Sequence, residues 1–121
     1  MNQYQAFYTY YADDGGADDV DHGDPEPMSL ERACDELLPR LSLDSDFFGL
    51  VDAHAATFQV MWHDDKGYWA ELITAPQPGD RRLVYRIYGG WLDRAALERT
   101  MRRLPATFAP SDFPDFAEQS S

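Results

Sequence analysis

The sequence predicts an α+β fold: a mostly antiparallel sheet of four to five strands, in the order β-α-β-β-β-β-α, with two helices packed on one face. Three observations predict it. Two stretches repeat apolar residues at helical spacing, several short runs alternate apolar and polar residues, and the runs after residue 56 are joined by turns too short for parallel crossovers. At 121 residues the chain suits one core, so 1–121 is expected to be a single domain. Its 44% hydrophobic and 14% aromatic content exclude general disorder.

The first element is an expected strand over residues 3–12, QYQAFYTYYA, aromatic-rich and without a breaker. DDGGADDVDHGDPEP, residues 13–27, follows as an expected acidic loop. MSLERACDELLPRLSL then carries Leu30, Ala33, Cys34, Leu37, Leu38 and Leu41 on one helical stripe, over 29–40. Ser29 is placed to cap it and Glu31 suits its first turn. Pro39 removes a helical hydrogen bond, so the helix is expected to end near Leu38 or to kink there.

Residues 46–52 and 57–63 read as strands, HDDKG as a tight turn with Gly67 at positive φ, and 68–75 as the returning strand. PQPGDR is a second turn and 82–89, RLVYRIYG, a further strand. The last helix is expected over 93–104, with Asp93 as cap and Ala96, Leu97, Thr100, Met101 and Leu104 as its buried stripe; Pro105 stops it. The tail, 106–121, places three phenylalanines among Pro and Asp and is expected to pack loosely or fray.

The formal charge is −12, from 22 acidic and 10 basic residues. Seven of the carboxylates lie in 13–27, so more than half the excess sits in that one segment. This balance argues against nucleic acid and anionic membrane as partners and favours solubility, metal cations or a basic protein surface. No run of about 18 apolar residues is present to span a membrane. The N-terminus has no basic n-region or apolar h-region, and the single Cys34 fits a reducing compartment, so a cytoplasmic location is expected.

No motif for a cofactor or a metal appears. His22, His54 and His63 form no HxxxH or HExxH pair, and a lone cysteine makes no CxxC. The acidic stretch is not a calcium loop: with Asp13 first, Gly15 and Ala17 fall on ligand positions, and with Asp19 first, Gly23 and Leu30 do. There is no GxSxG, phosphate loop or GxGxxG, and turn chemistry accounts for Asp64-Asp65. The expectation is a non-enzyme without cofactors.

Alternation in the strands sorts the sheet into two faces. Phe58, Val60, Trp62, Tyr68, Ala70, Leu72, Leu83, Tyr85 and Ile87 are expected to face the helices. Gln59, Met61, His63, Trp69, Glu71, Arg86 and Tyr88 would occupy the other face, with Glu71 and Arg86 as a cross-strand pair. Trp, Tyr, Met and Arg on an open face are the types enriched at protein interfaces.

The stretch "FFGLVDAHAATFQVMWHDDKGYWAELITAP…RRLVYRIYGGWLDRAALERTMRRL" sets a strand bearing Gln59, a DDKG turn, Trp69-Ala70-Glu71, a further strand and a capped helix in succession. Over about half the chain this pattern resembles small acidic immunity proteins of bacterial polymorphic-toxin systems, of the contact-dependent or type VI secretion kind. The resemblance implies a cytoplasmic, non-enzymatic inhibitor that covers the active site of a cognate toxin, a basic protein where the toxin attacks nucleic acid. It transfers no catalytic residue. The expected partner contacts are Asp18, Asp19, Asp21 and Asp24 of the acidic loop, with Trp69, Glu71, Arg86 and Tyr88 of the sheet. Alternatives are a phage-type DNA mimic or anti-restriction protein, which would spread carboxylates at phosphate-like spacing, and a small ligand-binding or enzymatic domain with a deep polar pocket.

Overall fold

Strand alternation and helical stripes meet in one α+β architecture. The computed structural model describes residues 3–11, 17–21, 23–74 and 85–119. Among the described residues eight strands form a single antiparallel sheet: β1 Gln3–Tyr11, β2 Ala17–Val20, β3 Glu26–Ser29, β4 Phe47–Val51, β5 Thr57–His63, β6 Gly67–Thr74, β7 Arg86–Leu92 and β8 Ala117–Gln119. Their order is β2-β1-β4-β5-β6-β7-β8, with β3 also paired to β1. A helical segment over residues 30–40, α1, and the helix Arg94–Arg102, α2, complete the fold. The sheet exceeds the expected four to five strands because three short segments pair with its two sides.

Tyr4, Ala6, Tyr10, Phe48, Leu50, Phe58, Val60, Tyr68, Ala70 and Leu72 are buried on one sheet face with Ala33, Cys34, Leu37 and Leu38 of α1 and Leu97 and Met101 of α2. Asp93 caps α2, its carboxylate accepting from the Ala96 N–H at 2.8 Å, and Ser29 caps α1 through the Arg32 N–H at 3.1 Å. Gly67 takes the positive φ, +96°, that the β5–β6 turn needs.

Pro39 reshapes α1 without ending it. One α-turn, Leu30–Arg32, opens into a π-helical stretch, Ala33–Leu37, and closes on a 3-10 turn, Leu38–Arg40. The Leu38 N–H reaches back five residues to the Ala33 carbonyl. In a regular helix the proline ring would collide with the carbonyl four residues before it, and the wider turn relieves that collision. It also keeps Cys34, Leu37, Leu38 and Leu41 all buried. Burial pushes the Cys34 thiol pKa up, because the apolar surroundings disfavour the thiolate. A thiol reagent should therefore label Cys34 only in step with unfolding. Rapid labelling of the native chain would remove the residue from the stripe.

Two buried aspartates bracket β4. Asp46 accepts the Tyr11 N–H on Oδ1 at 2.8 Å, and the Ser42 and Leu43 N–H groups on Oδ2 at 3.1 and 2.9 Å. Asp52 accepts the His54 and Ala56 N–H groups on Oδ1, at 2.8 and 2.9 Å, and the Phe108 N–H on Oδ2 at 2.7 Å. Beside them Ser45 and Ala55 hold left-handed φ values of 75° and 65°, a conformation costly for residues with a Cβ. The carboxylates hold these turns in place.

Three expectations need correction. The acidic segment is not one irregular loop: Ala17–Val20 and Glu26–Ser29 both pair with β1, because β1 presents a full unpaired edge to whatever follows it. Residues 13–16 and His22 lie outside the described residues. The tail does not pack loosely at its aromatics. Phe108 and Phe113 are buried, Phe113 stacks on Phe58 at 5.5 Å, and Phe108 stacks on Tyr4 at 5.3 Å. The tail's last described residues, Ala117–Gln119, form β8 on β7.

The third correction concerns the strand expected at 82–89, which is observed as Arg86–Leu92. Residues 82–84, and the turn before them, lie outside the described residues. Leu72 pairs with Tyr88 and Thr74 with Arg86, so Arg86 and Tyr88 share the face of Leu72 and not that of Glu71. Tyr88 packs against the core. The expected Glu71–Arg86 pair does not form, since Glu71 stands opposite Gly89. The physical reason is the Gly89-Gly90 dipeptide: it lies inside the strand and, lacking side chains, carries no in-or-out signal.

Candidate functional site: the helix-free face of the sheet

Both helices and the buried tail phenylalanines pack on one face. Among the described residues no helix lies on the other. Its side chains are set by register in two adjoining rows. Phe7, Gly49, Gln59, Glu71 and Gly89 stand side by side across β1, β4, β5, β6 and β7. Thr9, Phe47, Met61, Trp69 and Trp91 form the next row, which Asp19 of β2 extends at the edge.

The two rows interlock through glycine. A Cβ on Gly49 would collide with the Phe7 ring, and one on Gly89 would lie 2.5 Å from Trp69 Cζ2. Each glycine therefore leaves the space that an aromatic ring from the neighbouring strand occupies. Trp69 is then tied down: its Nε1 donates to Glu71 Oε1 at 2.6 Å, while Gln59 Nε2 donates to Glu71 Oε2 at 2.9 Å. The carboxylate thus joins two neighbouring strands and fixes the indole. Beside it lies a hollow of about 370 Å³ lined by Phe47, Gln59, Val60, Met61, Trp69 and Glu71.

Towards the β5–β6 turn the face becomes aromatic and charged. The Trp69 and Trp91 ring centroids are 5.1 Å apart at 59°, and His63 meets Trp91 edge-on at 5.2 Å. Trp91 is 45% exposed, one of three large apolar side chains left so open among the described residues.

The expected contact residues divide. Trp69 and Glu71 sit together at the centre of this face, whereas Arg86 and Tyr88 belong to the opposite one. Asp19 stands opposite Thr9, in the Trp69 row, and Asp18 opposite Tyr10. Asp21 serves its own turn, accepting the Gly23 N–H at 3.1 Å, and its carbonyl accepts the Asp24 N–H at 2.9 Å. Asp24 is exposed. Sequence reasoning missed Trp91, Phe47 and Gly89. Carrying the strand through the two glycines to Leu92 would have placed Trp91 beside Trp69.

Among the described residues no three His, Cys, Asp or Glu side chains are grouped to hold a metal, and no helix is long and apolar enough to cross a membrane. Another hollow, of about 210 Å³ between α2 and the tail, mixes Arg99 and Arg103 with Asp112 and Asp115 in its lining, so its charges offset one another. Comparison with protein-family models, with curated proteins and with solved structures finds no match.

Proposed function

We propose that this chain is a non-enzymatic inhibitor that binds and blocks a toxin protein in the bacterial cytoplasm, in the manner of an immunity protein. One observation carries the reading: Trp69, packed over Gly89 and hydrogen-bonded to the Gln59-braced Glu71, sits on a sheet face without helices among the described residues. Rigid, half-buried tryptophans with exposed aromatic neighbours are the anchors on which protein interfaces concentrate their affinity. The net charge of −12 adds long-range attraction for a basic partner. The test is coexpression with the toxin-domain protein encoded beside its gene. The reading expects a stable complex and loss of toxin activity; full toxin activity with no complex would end it.

The acidic segment contributes differently from the face. Asp18, Asp19, Asp21 and Asp24 are four like charges within seven positions of the sequence, so their joint replacement by Asn should leave stability unchanged or slightly raised. The same variant should associate more slowly and with a flatter salt dependence, because steering is screened within about 10 Å at 0.1 M ionic strength. Stopped-flow association at low and high salt measures both. An unaltered rate at low salt would make the segment a solvated edge only.

A further inference from the structure

Resting on that binding reading, we propose that the cleft beside the β5–β6 turn is a receptor for a guanidinium group, an arginine side chain presented by the partner. The cleft, about 510 Å³, is lined by Asp44, His63, Asp65, Lys66, Trp69 and Trp91. Its walls supply the two things a guanidinium needs, aromatic faces and carboxylates. Trp69 and Trp91 form a wedge of indoles at 5.1 Å and 59°, closed at one end by the edge-on His63 ring. Trp69 cannot swing away, because Glu71 holds its Nε1 at 2.6 Å.

The chain itself demonstrates that this aromatic surface accepts a cation. Lys66 Nζ lies 5.6 Å from the Trp91 ring centroid, within the range of a cation–π contact. Lys66 is the only lysine in the sequence. Two carboxylates, Asp44 and Asp65, stand in the lining against this one ammonium, so one is left to meet an incoming cation. Asp44 is positioned by the Asp64 N–H, which it accepts on Oδ1 at 3.0 Å. A guanidinium fits better than a second ammonium: it is planar, weakly hydrated, stacks on indole and presents a fork of donors to carboxylates. Lys66 then acts as a tethered competitor that an arriving arginine displaces from Trp91.

The test uses the ¹⁵N-labelled full chain and three capped tripeptides, Gly-Arg-Gly, Gly-Lys-Gly and Gly-citrulline-Gly, followed at the tryptophan indole N–H resonances. The arginine peptide should shift Trp69 and Trp91 saturably, the lysine peptide should bind less tightly, and neutral citrulline should leave both unmoved. Lys66→Ala should tighten arginine-peptide binding roughly threefold by removing the competitor, and Asp65→Asn should weaken it by a similar factor. Trp91→Leu should abolish the Trp69 shift while its unfolding curve shows the chain still folded. Equal responses to arginine and citrulline, or no saturable response, would overturn the proposal, as would weaker binding in Lys66→Ala. A silent cleft in a chain that still captures its toxin removes this inference alone. An arginine-responsive cleft in a chain that captures none removes the inhibitor reading and leaves the cleft.

Discussion

Replacing Asp52 by Ala should lower the free energy of unfolding by about 3–5 kcal/mol, as much as truncating a buried phenylalanine to alanine. Asp52 is 5% exposed, and its carboxylate accepts three backbone N–H groups. Those of Ala56 and Phe108 are themselves buried and have no solvent to turn to. Leaving a buried donor unpaired costs about 1–3 kcal/mol, and here two are orphaned together. The loss also frees the left-handed Ala55 and unfastens the tail at Phe108, where the ring stacks on Tyr4. For a domain whose total stability is about 5–15 kcal/mol this is a large fraction. Asp52→Asn keeps an acceptor and should lose less, although its amide group sets a donor against one of the three N–H groups. Urea unfolding curves, with amide exchange at Ala56 and Phe108, measure the effect. A loss below about 1 kcal/mol would mean that the turn and the tail hold without the carboxylate.

Trp69→Ala should raise the dissociation rate of the toxin complex by roughly thirtyfold or more, the kinetic equivalent of losing a 2 kcal/mol anchor, with little change in association. The indole spans the centre of the helix-free face, between Met61 and Trp91 in its row, and its removal uncovers Gly89 and releases Glu71. Trp69→Phe separates the two contributions. A phenyl ring can still lie over Gly89 but cannot donate to Glu71, so it should fall between wild type and Ala. Surface plasmon resonance against the captured toxin, with unfolding curves for each variant, provides the measurement. A folded Trp69→Ala chain that dissociates within a factor of two of wild type would move the interface elsewhere.

The candidate site was legible in part. Trp69, Glu71, Gln59, Met61 and His63 could be placed together because β5 and β6 are joined by a short turn and both alternate cleanly, so the register follows from the turn. Trp91 was missed, because the expected strand ends at Gly89. The strand that carries it passes through Gly89-Gly90, where two residues without a Cβ break the alternation that reveals a face. Arg86 and Tyr88 were assigned to the wrong side for the same reason. Asp46 and Asp52 looked like polar ends of an apolar strand. Their function as acceptors for Tyr11 and Phe108 depends on segments 35 and 56 residues away.

By itself the sequence determined what burial on one side of a local element imposes. The stripes of α1 and α2, their Ser29 and Asp93 caps, and the alternation of β5 and β6 each repeat within a few residues and need no knowledge of the partner segment. The tertiary structure decided what depends on pairing between distant segments. It added residues 17–20 and 26–29 to the edge of β1, docked Phe108 and Phe113 in the core, and set the face of β7 across its two glycines. An unpaired strand edge accepts any segment that satisfies its N–H and C=O groups, and a short polar run carries too little side-chain pattern to announce that it will be the one.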